Sequence, residues 1–95
     1  MVGGDARVGG YRMIPVDEGV RAVVAYVLEQ RYPAAELDQI LAASAQVVSG
    51  TNYDVTFTLT GGETCNAAVH KSLSGELSML GPVTGLSAAK PLPSA

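Results

Sequence analysis

The chain has 95 residues, 47% of them hydrophobic and only 16% charged, a balance that excludes a disordered chain and fits a single domain with a single core. Its net charge is −3, and its six Lys and Arg residues are scattered, which excludes the basic patch that a nucleic-acid surface needs. The longest apolar run, Val23 to Leu28, is far shorter than the roughly 20 residues that span a bilayer, so no membrane partner is expected either.

Residues 1–10 carry Gly3, Gly4, Gly9 and Gly10 and little to bury, and read as a flexible arm in which Val-Gly-Gly is written twice, at Val2 and at Val8. Tyr11 to Pro15 reads as a short extended piece, because a residue before proline avoids the helical region. It is expected to pair at a sheet edge or to lead directly into a helix. Asp17 has the character of an N-cap, and Glu18 adds negative charge where the helix dipole favours it. From there Val20, Val23, Val24, Val27, Leu28 and Arg31 line one helical face, with Arg21, Ala25 and Glu29 opposite. Four valines are poor helix formers, each costing roughly half a kcal/mol against Ala, so this helix requires packing partners. Pro33 ends it near Tyr32.

Ala34 to Ala45 is ambiguous. Its Ala and Leu content and the spacing of Leu37, Ile40 and Leu41 suit a second helix, while its continuation into Gln46-Val47-Val48 suits a strand. The next stretch is clear: Tyr53, Val55, Phe57 and Leu59 alternate with Asp54, Thr56, Thr58 and Thr60, the pattern of a half-buried antiparallel strand. Gly61-Gly62 marks a hairpin turn. Cys65, Ala67 and Val69 then alternate with Asn66, Ala68 and His70, a second turn surrounds Gly75, and Leu77 and Met79 begin a last strand. From Pro82 onward Gly85, Pro91 and Pro93 mark a loose tail, which gives an arm over 1–10, one domain over 11–84 and a tail over 85–95. A helix stripe and a sheet face each need a cover, and each covers the other. The expected class is therefore α+β, with one α-helix packed across a four- or five-stranded antiparallel sheet.

Catalysis finds little support in these residues. Cys65 and His70 are the only thiol and imidazole; five apart on one strand, they fall on opposite faces about 16 Å apart and form no dyad. One Cys and one His are too few for a metal site, no phosphate-cradling glycine loop is present, and no cofactor is expected. Cys65 reads as a small buried hydrophobe and His70 as a solvated residue on the polar face. No signal peptide is expected from the first residues, and a single cysteine leans towards a reducing, cytoplasmic compartment; a secreted chain with its signal removed is the alternative.

What remains is a binding edge. Gln46-Val47-Val48-Ser49-Gly50 has the turn residues of a hairpin tip, with Gly50 supplying a positive φ, yet it places two β-branched apolar residues where solvent is expected. In an antiparallel meander this turn and Ser72-Leu73-Ser74-Gly75 lie at the same end of the sheet, since Gly61-Gly62 points the other way. The first of these segments, continued by Thr51-Asn52-Tyr53, resembles the Q-x-V-x-G loop of the cystatins, in particular the stefins. Val69-His70-Lys71-Ser72-Leu73-Ser74-Gly75 is similar to their second loop, and Val8-Gly9-Gly10-Tyr11 with Ile14 and Asp17 is similar to the arm of plant cystatins. The chain departs from the family in having no Trp and in carrying Ser74 where stefins carry proline.

The resemblance covers roughly residues 8 to 80. It implies a cystatin-like fold, with a strand from about Ile40, and reversible, tight, competitive inhibition of papain-like cysteine proteases. The implied contact residues are Val8, Gly9, Gly10, Gln46, Val47, Val48, Ser49, Gly50, Leu73 and Ser74, with Gly4 as the alternative arm glycine. Gly50→Pro is expected to weaken binding at little cost in stability. The rival reading is a non-inhibitory cystatin-fold binding or structural module, and a monomer is expected, with a domain-swapped dimer as the alternative.

Overall fold

In the computed structural model, which describes residues 10–85, helix α1 (Glu18–Arg31) starts where the sequence places its cap. Asp17 is extended and its Oδ1 accepts from the Val20 backbone N–H at 3.0 Å, satisfying one of the free donors of the first turn. At the other end the Tyr32 N–H donates to the Leu28 carbonyl at 2.8 Å before Pro33 stops the helix. The valine stripe is the buried face: Val20, Val23, Val24 and Val27 lose essentially all contact with solvent. The stripe is shorter than its periodicity suggests, because Leu28 is only half-buried and Arg31 is exposed.

Among the described residues six strands form the cover. They are β1 (Arg12–Met13), β2 (Leu37–Val48), β3 (Gly50–Leu59), β4 (Thr64–Lys71), β5 (Leu77–Met79) and β6 (Thr84–Gly85). The sheet runs in the order β1-β2-β3-β4-β5, antiparallel throughout, and β6 shares with β5 the edge of β4 that β3 leaves open. The architecture is α+β, one helix packed on an antiparallel sheet. Val55, Phe57 and Leu59 of β3, with Cys65, Ala67 and Val69 of β4, meet the valines of α1, and Ala43 closes the core from β2. No polar or charged side chain is buried among the described residues.

Strand β2 resolves the ambiguity of Ala34 to Ala45 in favour of a strand, and starts it at Leu37 rather than near Ile40. It also explains the ambiguity. The register slips between Leu37 and Gln39 and again between Ile40 and Ala42, so β2 carries two irregularities of the bulge type. Each inserts one extra residue, so Leu37, Ile40 and Ala43, three apart in sequence, stand opposite Leu59, Phe57 and Val55 on the helix-facing side. A three-residue apolar spacing is ordinarily a helical signature; here bulges create it in a strand. Leu41 is displaced by the same slip and stands half-exposed.

Of two further segments, the first takes the edge pairing that was one of its two expected placements, and the second differs from expectation. Arg12–Met13 pairs with Ala45 and Ser44, and the Ile14 N–H donates to the Ala43 carbonyl at 2.9 Å, so the extended piece joins the sheet as an edge strand. Thr84 and Gly85 pair with Asn66 and Cys65, so the stretch after Pro82 is not a loose tail over its described part, and Gly85 belongs to the sheet. Among the described residues no helix is long and apolar enough to cross a membrane.

Among the described residues Phe57 is the largest fully buried side chain, and it belongs to the core cluster that joins the two layers. Phe57→Ala is expected to cost about 3–5 kcal/mol, while Asp17→Ala costs about 1 kcal/mol through the lost cap. Urea unfolding of the two variants against the parent chain checks both magnitudes and their order.

Candidate functional site

The β2–β3 hairpin closes on one residue. Val48 is paired with Gly50, and Ser49 alone lies between them. Because Ala43, Ala45 and Val47 share a parity, Val47 belongs to the helix-facing row; near the tip that row has no helix above it, and Val47 is 80% exposed. Val48 is 45% exposed and Ser49 is exposed. These two valines have no core duty.

Gly50 differs from its neighbours. It has the expected positive φ of 95°, but it is buried rather than free at a turn tip. A Cβ here would run into the Lys71 carbonyl oxygen and would lie 3.0 Å from His70 Cε1 and 3.1 Å from Nε2. Glycine is therefore required twice, for its conformation and for the approach of β3 to β4. The expectation for Gly50→Pro is corrected accordingly: proline's φ near −65° is incompatible with this backbone, so stability falls together with any binding.

The second loop stands beside the first. Thr51 pairs with Lys71, and Lys71 with Leu77, so the turn of residues 72–76 projects from the same end of the sheet as Val47-Val48. Leu73 is 83% exposed at its crest. The loop is held without proline: Gly75 N–H donates to the Ser72 carbonyl at 2.9 Å, Ser72 N–H to the Glu76 carbonyl at 2.8 Å, and Glu76 N–H to Ser72 Oγ at 3.0 Å. Ser72 Oγ and Ser74 Oγ lie 2.9 Å apart, so the exposed Ser74 is tied back to the start of the turn.

Val8 and Gly9 lie outside the described residues. Gly10 is exposed, and the register of β1 gives its level on the sheet. Arg12 is opposite Ala45 and Met13 opposite Ser44; continued backwards, Tyr11 and Gly10 come level with Gln46 and Val47. The chain thus arrives at the end of the sheet that carries both loops. No pocket is found among the described residues, so the feature is a projecting apolar edge.

Two residues absent from the expected site support it from the outer face of the sheet. Asn52 Nδ2 donates to Gln46 Oε1 at 2.9 Å, and Asn52 Oδ1 pairs with His70 Nδ1 at 2.7 Å. His70 is half-buried and hydrogen-bonded rather than simply solvated. The shared parity of Gln46, Asn52 and His70 is the signal in the sequence that points to this row.

Cys65 lies in the core and His70 on the opposite face, so the two are not brought together. Among the described residues no group of three or more His, Cys, Asp or Glu could hold a metal ion. Burial pushes the Cys65 thiol above its usual 9.0, with the Glu63 charge adding to the effect. Tyr32 is raised above 10.0, first by burial and then by Cys65 and Glu63, against an opposing Arg31. No protein-family model matches the chain, and a search of curated proteins finds no match.

Gly50 and Gly75 have the same φ, 95° and 96°, but only Gly50 has atoms in the space a Cβ would take. Gly75→Ala is expected to cost about 1 kcal/mol from the left-handed backbone alone, and Gly50→Ala at least about 1 kcal/mol more from the overlap, read as the difference between their unfolding free energies. For Cys65 and Tyr32 the native pKa lies above the unfolded one, so the unfolded chain gives up its protons first. Their contribution is whole below about pH 9 and is lost as pH rises through the native values. Urea unfolding from pH 7 to pH 10.5 is expected to show this decline, and Cys65→Ala to flatten its thiol part.

Proposed function

We propose that the chain is a reversible, tight-binding competitive inhibitor of papain-like cysteine proteases, a cystatin-like protein that blocks the active-site cleft with an edge of three parts. The observation that carries the reading is the grouping of Val47, Val48 and Leu73, exposed apolar residues with no core duty, on adjacent hairpins at one end of the sheet. These are the loops whose sequences resemble those of the stefins, and Gly10 lies towards the same end.

The chemistry of such a block follows from the residues. Val47 and Val48 present β-branched side chains that lose little freedom on binding, and burying each contributes about 1.5–3 kcal/mol before association costs. Leu73 adds a second apolar anchor beside them. The arm, with Val8, Gly9 and Gly10, lies along the non-primed subsites, where glycine lets the backbone turn away from the catalytic thiol; the two hairpin tips fill the primed side. A tip closed on Ser49 and paired at Val48 and Gly50 offers the protease no extended peptide, so the inhibitor is bound without being cleaved.

Titrating papain with the protein, with trypsin as control, tests the proposal: stoichiometric, reversible loss of papain activity alone is expected, and full activity at micromolar protein overturns it. Val47→Asp, at a position 80% exposed, is expected to weaken inhibition at least tenfold while changing stability by no more than about 0.5 kcal/mol.

A further inference from the structure

The two hairpins share the β3–β4 ladder, which ends at the pairing of Thr51 with Lys71 just below both tips. A row of side chains on the outer face adds a second link beyond that backbone pairing. Gln46, Asn52, His70 and Ser78 face one another across β2, β3, β4 and β5. Asn52 gives its amide N–H to Gln46 Oε1 and so presents its carbonyl to His70. A carbonyl oxygen only accepts, so His70 Nδ1 is the donor in that 2.7 Å bond.

The other edge of the ring, Cε1 and Nε2, faces Gly50. His70 therefore reaches both roots of the first tip: Gln46 before the valines, through Asn52, and Gly50 after them, by direct approach. It is also two residues ahead of Ser72, where the second loop begins.

We propose that His70 is a positioning residue that couples the two tips, so that Val47-Val48 and Leu73 move as one unit. Its consequence for affinity rests on the protease-inhibitor reading; the coupling itself does not. A coupled pair presents both apolar anchors already aligned, and less order has to be imposed when a cleft closes on them.

Two variants separate the two contacts. His70→Phe keeps a ring against Gly50 and removes the donor, whereas His70→Asn keeps a donor within reach of Asn52 and removes the ring edge. The full chain is followed by amide hydrogen exchange without any protease, with Val55 and Phe57 as core references. His70→Phe is expected to speed exchange about tenfold over residues 47–51 and 72–76 while the core references hold their rates. His70→Asn is expected to recover part of that protection, and Asn52→Ala to raise exchange in residues 72–76 although it lies on the other hairpin. Unchanged exchange at both tips, or an equal rise at tips and core, overturns the coupling. Papain inhibition is measured on the same proteins. A parent chain that does not inhibit overturns the protease reading while the exchange rates still decide the coupling; an inhibiting parent whose affinity is untouched by His70→Phe overturns the positioning role.

Discussion

The structure depends on the contact between four helical valines and one face of the sheet. Valine disfavours the helix, so α1 gains its stability from burying Val20, Val23, Val24 and Val27 against β3 and β4. Among the described residues the helix is the main cover for Val55, Phe57, Cys65 and Val69, with Ile14, Val16 and Val83 packed at its margins. Neither layer is independent, and loss of one exposes the other. With no buried polar group among the described residues, this core works by apolar burial and shape rather than by a specifying hydrogen-bond network. The polar interactions that select an arrangement lie on the opposite face, where Asn66 alone donates to Asp54 Oδ1, Thr56 Oγ1 and the Val55 carbonyl.

That division of labour suits the proposed inhibitory edge. The core fixes the strands, the strands fix the ends of the hairpins, and the apolar residues left over at those ends are available to a partner. Val47 continues the row of Ala43 and Ala45 past the reach of the helix, so its exposure follows from strand length: β2 is longer than the core it covers. The same excess on β3 brings Gly50 and Thr51 alongside the last residues of β4, where the second loop begins.

Much of this was legible in the residues. The alternation of Tyr53 to Leu59, the cap at Asp17 and the turn glycines carry local signals that tertiary packing leaves intact. The helix-or-strand ambiguity of β2 was real, since a doubled bulge imitates the helical period and only the pairing partner removes it. Strands of two residues, such as Thr84–Gly85, carry no period at all. At the site, the exposed valines and Leu73 stood out because their apolar character conflicts with a turn. The burial of Gly50 and the Gln46–Asn52–His70 row depend on register across three strands, which no single segment encodes.

The bulges of β2 bear on how the protein behaves at high concentration. Among the described residues β1 covers β2 only near Ala43 to Ala45, and Leu37 to Ala42 has no strand on the side away from β3. A regular border of that kind is a template on which another chain can grow, because its amides and carbonyls repeat every second residue. Two register slips within that stretch break the repeat, and Asp38 sets a charge beside it. The irregularity that makes this strand hard to read also makes it hard to copy.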